Sequence, residues 1–498
     1  MSNKITKSSI ILILIITAIF IGLRLFLLLD TDTFHGIAAG RTLLAELILR
    51  NGFYSKLCFV PVHPPIHTVM LVAGLFIWNN PIILPGLVSL FFGTLTCLPF
   101  YYYNKSVFDE KVAVFSLAAI SLYSDHIAYS IIGTSETIFH FFLFSSLVFA
   151  LFFKKNKNMR YFYLSAIMIS IASLCRYEGI IFIPFFSVFL TKKIKNIILF
   201  LIVSLILPGI WMCVNFYFTG NFIYFLNTND ITVPLQFNWM RLQGLDINVT
   251  YKILFWPRVL INTIGVFFLF FGLGGVIFCL KRGEKLFPAG LVIFILCLFV
   301  LRTYQEKLYL QTRYGITIGL LLIPFAIYFF QVTVKKINRN LPDWLVLFLL
   351  LTLIPAWGKT LSQESLFLPD TVKNISSFLG KEVKENENIF ITSEQNENYR
   401  EVIKLRSRLN PKQFILIPYL EPYENKFIIK LETFFQYLEK ENIKFFVYSP
   451  EGELGNILKF EGKGEKFNMN GFWFKLIYKN RLYHIYKVDP LKEGVEDV

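Results

Sequence analysis

The chain has 498 residues, of which 55% are hydrophobic, 17% aromatic and only 17% charged. A soluble domain carries about 25% charged residues, so a single cytosolic domain is excluded, and with only 6 Cys in so apolar a chain so are disorder, collagen and a disulfide-stapled secreted fold. The formal charge of +15 is uneven: residues 361–498 hold 20 Lys+Arg against 21 Asp+Glu, and residues 1–360 hold 29 against 13, mostly as short clusters between apolar runs. That is the positive-inside pattern of a polytopic membrane protein. Its partner is the cytoplasmic leaflet, not nucleic acid.

In chain order, Lys4 and Lys7 precede an apolar run from Ser8 to Leu29. It is too long for a signal-peptide core and lacks a small-x-small cleavage site, so it reads as an uncleaved first span. Further spans are expected near 82–103, 109–124, 131–153, 161–175, 178–191, 195–218, 259–281, 286–301, 313–331 and 342–359, about eleven in all. The clusters at 154–157, 192–195, Lys281-Arg282 and Lys335-Lys336 fix the cytoplasmic loops. The apolar stretch Pro65–Trp78 is too short to cross and reads as an interfacial helix on the outer surface, started by Pro65. The outer loop Gly220–Arg258, with Trp239, Trp256 and several Asn, is an expected acceptor-side surface, though its aromatics also suit an interfacial belt.

The polar tail changes pattern. Short apolar strands at Ile389–Thr392, Phe414–Ile417 and Phe445–Tyr448 alternate with amphipathic stretches such as Phe427–Lys440. A hairpin of Trp473–Tyr478 and Tyr483–Val488 is expected around the Lys479-Asn480-Arg481 turn. The expected organisation is a helical membrane domain over 1–360 and a small soluble α/β domain over 361–498. With an odd number of spans, the N terminus lies in the cytoplasm and the tail outside it.

Only 13 acidic residues lie before residue 361. Asp30, Asp32, Asp125, Glu136 and Glu178 sit at or just below the outer ends of expected spans, where an unpaired charge is expensive. His35, His63, His67 and His126 share that level with Arg176 and Arg313, and His140 lies one helical turn inside. Polar chemistry therefore gathers on the outer face. Asp30-Thr31-Asp32 opens the first outer loop: a partly desolvated carboxylate there can act as a general base, and Asp and Thr also suit ordinary helix-end caps. Arg24, about 1.5 turns below Asp30, is expected to pair with Asp30 or Glu136 in a structural role.

The stretch Asp30–Arg41, with its Ala38-Ala39 pair, is followed by Val62-His63-Pro64-Pro65-Ile66-His67. Here the chain resembles the membrane glycosyltransferases of the GT-C class, within the protein O-mannosyltransferase, aminoarabinose-transferase and Rgt-like group (glycosyltransferase family 39-like). Ser135-Glu136-Thr137, Cys175-Arg176-Tyr177-Glu178-Gly179 and Thr312-Arg313-Tyr314 resemble further elements of that group, in the same order, over roughly residues 8–360. Two Asp spaced around Thr31 replace an adjacent Asp-Glu pair, which leaves the base as Asp30 or Asp32. Asp32 is preferred for its spacing to Phe34 and Ala38-Ala39.

The resemblance implies a polytopic GT-C-like membrane domain in a bacterial inner membrane. It implies transfer of a sugar from a polyprenyl-phosphate donor to an extracytoplasmic lipid, glycan or protein by inverting displacement. Asp32, or Asp30, would be the base; Arg176, Arg313 and His63 would bind the donor phosphate; His35, Asp125, His126, Glu136, Glu178 and Tyr314 are further substrate-site candidates. Each Arg also fits a snorkelling interfacial role. No cofactor is required. A divalent metal held by Asp30, Asp32, His63, His67, Asp125 and His126 is not favoured, since a lipid monophosphate has no diphosphate for a metal to bridge. The alternatives are a transporter or lipid/glycan flippase, which usually shows midplane charges and repeated halves, and an assembly factor that has lost the chemistry.

Overall fold

Apolar runs bounded by turn and cap residues become helices through residue 351, and alternating segments beyond residue 387 become strands. The computed structural model describes residues 7–32, 35–52, 63–242, 244–337, 345–355, 357–358, 367–391, 397–415, 422–423, 426–427, 431–450, 458, 460 and 463–491. The chain forms two compact units: Met1–Thr33, Leu47–Asn79 and Ile83–Leu366; and Phe34–Glu46, Asn80–Ile82 and Phe367–Val498.

The first unit is a helix bundle. Its elements are α1 (Lys7–Asp30), the end of α2 (Gly36–Asn51), α3 (Ile66–Ile77), α4 (Leu84–Val107), α5 (Glu110–Leu122) and the short α6 (Ser124–Tyr129). They continue with α7 (Glu136–Asn156), α8 (Met159–Cys175), α9 (Glu178–Leu190), α10 (Ile194–Thr219) and α11 (Tyr224–Leu242). α12 (Val249–Lys281), α13 (Leu286–Tyr304), a 3₁₀ turn (Thr312–Tyr314), α14 (Gly315–Ile337) and α15 (Val346–Leu351) complete it. Among the described residues seven helices are long and apolar enough to cross a membrane, and α3, α8 and α9 are shorter apolar helices. The protein is a multi-pass integral membrane protein.

Local chemistry sets the boundaries. Asp109 caps α5 by accepting from Val112 N at 2.9 Å, and Asn158 caps α8 by accepting from Arg160 N at 2.9 Å. Gly220, in the left-handed region at φ 71°, ends α10. Between these ends, packing is driven by fit, because lipid tails are as apolar as the helices. α12 approaches α14 closely: a Cβ on Gly275 would lie 2.4 Å from Phe325 O, and one on Gly272 3.3 Å from Leu322. The same helix breaks at Gly265, whose φ of 81° and ψ of 158° are not helical. On α10, Ile194, Ile198, Ile202, Ile206 and Ile210 recur every four residues and are all exposed, which makes a lipid-facing stripe.

The second unit contains a six-stranded sheet in the order β2-β1-β5-β8-β7-β6. The strands are β1 (Asn388–Ile391), β2 (Phe414–Ile415), β5 (Ile443–Tyr448), β6 (Lys466–Met469), β7 (Phe472–Lys479) and β8 (His484–Pro490); β3 (Pro422–Tyr423) and β4 (Lys426–Phe427) form a separate pair. β2, β1 and β5 are parallel, whereas β8, β7 and β6 add antiparallel. Alternation sends Ile389, Ile391, Phe445, Val447 and Ile485 to one face, under α16 (Asp370–Glu382) and α17 (Glu397–Ser407). Phe390, Phe446, Tyr448, Tyr486 and Val488 face the other way, against Phe434, Phe435 and Leu438 of α18 (Leu431–Lys440). Ala39 and Leu43 of α2 join the first of these cores, so the second residue of the Ala38-Ala39 pair packs within the α/β unit.

Pro65–Trp78 is indeed a helix, with Pro65 at its N-cap. The stretch 220–258 is not a loop: it holds α11 and the first ten residues of α12. Trp256 is 0% exposed, packed on Phe299 at 5.0 Å between ring centroids and donating from Nε1 to Thr303 Oγ1 at 2.9 Å. It is a wall of the bundle, not part of an acceptor surface or an interfacial belt. The side chain of Trp239, parts of the expected span 342–359, and residues 392, 416–417 and 428–430 of the expected tail elements lie outside the description.

The α12–α14 contact yields a test. Gly275→Leu drives a side chain into the Phe325 carbonyl and is expected to cost about 1–3 kcal/mol, seen as a lower thermal midpoint of the detergent-solubilised protein.

Candidate functional site

Four helix ends converge. Glu136 is the first residue of α7, Arg176 caps the C-terminus of α8, Glu178 opens α9, and Arg313 lies in the 3₁₀ turn before α14. The basic clusters lie at the opposite ends, with Lys154 and Lys155 in the last turn of α7 and Lys335 and Lys336 in that of α14. Helix N-termini carry partial positive charge, which favours Glu136 and Glu178 there.

Arg176 is the hub. Its Nη1 donates to Glu136 Oε1, and Nε and Nη2 donate to Glu178 Oε1 at 3.2 and 2.6 Å. Burial opposes the guanidinium charge, but Glu178 and Glu136 outweigh it and raise its pKa further above the ordinary arginine value. Arg313 Nη1 reaches Glu136 Oε1 only at 3.7 Å, and its buried Nε has no hydrogen-bond partner among the described residues. Tyr314 lies beneath both, its ring centroid 5.1 Å from Arg176 Cζ and 5.6 Å from Arg313 Cζ. Gly179 permits the turn: a Cβ there would meet Ser173 N and Cα at 2.5–2.6 Å. The enclosed space, lined also by Phe139, His140, Phe182, Ile295, Phe299 and Thr317, is about 10 Å³, enough for one water.

A polar column runs from this cluster into the bundle. His140 Nε2 is 3.1 Å from Thr317 Oγ1, and its ring lies 6.0 Å from that of His126. His126 Nδ1 meets Arg24 Nη2 at 3.2 Å. Arg24 also donates to Ile120 O at 3.1 Å, Ser121 O at 3.4 Å and Phe20 O at 3.3 Å. Its role is structural, as expected, but these carbonyls and His126 hold it, not Asp30 or Glu136.

Residues 62–214 match the family model described as dolichyl-phosphate-mannose-protein mannosyltransferase. ArnT from Cupriavidus metallidurans, solved bound to undecaprenyl phosphate, superposes with a TM-score of 0.65 at 12% identity, over 94% of this chain and 97% of that one. The chain has a GT-C-like fold. The archaeal oligosaccharyltransferase AglB from Archaeoglobus fulgidus, in complex with an inhibitory peptide and a dolichol-phosphate, aligns with TM-score 0.57 and 13% identity, over 89% of this chain and 70% of that one. The A. fulgidus enzyme tethered to an acceptor peptide aligns at 0.59 and 14%, over 98% and 75%. No curated protein matches the chain at the level of sequence.

On this GT-C frame, Glu136, Glu178, Arg176, Arg313 and Tyr314 come together, and the column adds His126. Asp30 ends α1 and, like Asp32, is exposed; neither lines the cavity of the cluster. Asp125 is buried in α6 and His67 in α3, while His63 is half-buried just before α3. His35 belongs to the α/β unit, where its Nδ1 accepts from Ile37 N at 3.2 Å. Phe34 and Val62 lie outside the described residues. No group of three or more His, Cys, Asp or Glu is close enough to hold a metal ion among the described residues. Sequence reading missed Thr317 and the triad in which Glu306 accepts from Arg241 and, at 2.7 Å, from Lys252.

Two outcomes are expected. Removing one partner of a buried ion pair costs about 3–5 kcal/mol, so Glu136→Ala should lower the thermal midpoint more than Glu178→Ala at the more open position. For Glu306, partial burial raises the pKa, but hydrogen bonds from Lys252 and Arg241 prevail and hold it below its ordinary value. Its stabilisation is therefore complete above the unfolded carboxylate pKa and is lost as pH falls through the folded one. Thermal midpoints of wild type and Glu306→Gln should differ at about pH 7 and converge towards about pH 3.

Proposed function

We propose that the protein is an integral-membrane glycosyltransferase that moves a sugar from a polyprenyl-phosphate donor to an extracytoplasmic acceptor. The observation that carries this reading is the Glu136–Arg176–Glu178–Arg313 cluster, at the bundle end opposite the basic clusters. It occurs in a fold shared with proteins solved with undecaprenyl phosphate and dolichol-phosphate. Residues 1–360 are the catalytic part, the N terminus is cytoplasmic, and residues 361–498 lie outside.

In this reading Asp32 takes the proton of the acceptor hydroxyl as its oxygen attacks the anomeric carbon. The bond from that carbon to the phosphate oxygen breaks, and the lipid phosphate leaves with the electron pair. A single displacement inverts the anomeric centre. The leaving phosphate needs fixed cations. Arg313 is the arm for this role, because its Nε has no hydrogen-bond partner among the described residues and its contact with Glu136 is long. Arg176 is committed to two carboxylates and supports Arg313 by holding Glu136, and His63 is a further phosphate donor. No step is assigned to a metal.

Transfer from a synthetic polyprenyl-phosphate sugar, assayed in membranes, tests this. Asp32→Asn should lower turnover about 10²–10⁴-fold, with Asp30→Asn far less affected. Arg313→Ala should lower transfer strongly while lowering the protein melt less than Glu136→Ala does, since its contact with Glu136 is long. Unchanged transfer in Asp32→Asn sinks the base assignment; lipid or solute movement without transfer favours a transporter.

A further inference from the structure

We propose that the cleft between α11 and the turn after α13 is a carbohydrate subsite that holds a sugar of the acceptor; the word acceptor rests on the glycosyl-transfer reading above. The cleft is lined by Asp230, Pro234, Tyr304, Gln305, Glu306 and Lys307 and has a volume of about 370 Å³, within the roughly 300–1,000 Å³ of small-molecule sites.

Its chemistry suits a pyranose. Tyr304 is 53% exposed and offers an aromatic face for ring C–H groups; Lys252 Nζ lies 5.9 Å from its centroid. The Asp230 carboxylate has no hydrogen-bond or ion partner among the described residues and is exposed. Together with the Gln305 amide and the Lys307 ammonium it supplies the acceptors and donors that vicinal hydroxyls need. Among the described residues Pro234 and the Tyr304 ring are the only apolar groups in the lining, too little for an acyl chain.

The walls are fixed before any ligand arrives. Tyr309 donates its hydroxyl to Thr232 on α11, and Leu310 N donates to Gln236 Oε1 at 3.1 Å. Arg241 and Lys252 clamp Glu306. Glu306 sits in the left-handed region at φ 54°, a place that favours glycine; here the side chain is used to join α11, α12 and the turn. Such preorganisation lowers the cost of binding.

The location fits an acceptor. Phe299 lines the Arg176–Arg313 cavity, and Tyr304 follows five residues later on α13, a rise of about 7.5 Å. Arg313 returns on the far side of the same turn. The cluster assigned to the donor phosphate and the cleft thus share α13, with lining residues about 7.5 Å apart along it.

Saturation-transfer NMR on the full-length protein in lipid nanodiscs, free of glycosidic detergent, tests the subsite without any donor. The probes are methyl glycosides of glucose, mannose, galactose and N-acetylglucosamine, with a tripeptide and inorganic phosphate as competing chemistries. At least one glycoside should receive saturation, strongest at its ring C–H protons. Tyr304→Ala and the exposed, conservative Asp230→Asn should each weaken binding roughly tenfold, while Arg313→Ala leaves it unchanged. Saturation of the tripeptide alone, of no glycoside, or of a glycoside as strongly in Asp230→Asn and Tyr304→Ala as in wild type overturns the proposal. Because no turnover is read, failure of the transferase reading shows instead as intact glycoside binding with no transfer from a polyprenyl-phosphate sugar.

Discussion

Glu136 is 1% exposed, yet it is a carboxyl group set between two guanidinium groups at the end of a membrane bundle. Such a carboxylate is tolerable only if cations reach it from several elements at once. Arg176 and Arg313 do so from α8 and from the turn before α14, and Glu178 steadies Arg176 from α9. Four helix ends are thereby held in one register by charge, in a region where apolar packing against lipid cannot discriminate between registers. Gly179 belongs to the same constraint, since any larger residue would push α9 off the Ser173 backbone. Tyr314 and Trp256 then fill behind the cations, with ring centroids 6.4 Å apart.

Much of this was legible because rare residues are informative in an apolar chain. With 13 acids before residue 361, the grouping of Glu136, Glu178 and the two arginines could be anticipated from sidedness alone. Who bonds to whom could not. Arg24 satisfies itself on the carbonyls of Ile120 and Ser121, groups that every residue carries and that leave no trace in composition. Stretch 220–258 escaped because α11 mixes Asn, Thr, Asp and a Pro at 234, a composition that reads as loop until tertiary bonds from Tyr309 and Leu310 hold it. The Asn470-Gly471 pair, with both φ values positive, is a strong hairpin signal that marks the β6–β7 turn; the sequence reading passed over it and so missed β6.

In the α/β unit the hairpin of β7 and β8 could be read directly, since strand period and the Asn480 turn agree. Asn480 Oδ1 accepts from Leu482 N at 2.9 Å and from Tyr483 N at 2.8 Å. Less visible was that the sheet is covered on both faces, because that depends on α16 and α17 packing on one face and α18 on the other. The burial of Ala39 in this unit gives the small residues after the first span a physical purpose: they let a helix lie flush on the α/β core.

The interruption of α12 at Gly265 divides that helix into two rods. The half beyond Gly265 is locked to α14 through Gly272 and Gly275. The half before it carries Lys252 and Trp256, and through them the Glu306 clamp and the wall behind Tyr314. The two halves of α12 therefore serve different neighbours, one fixed against α14 and the other tied to the Glu306 clamp and to the ring behind the arginines.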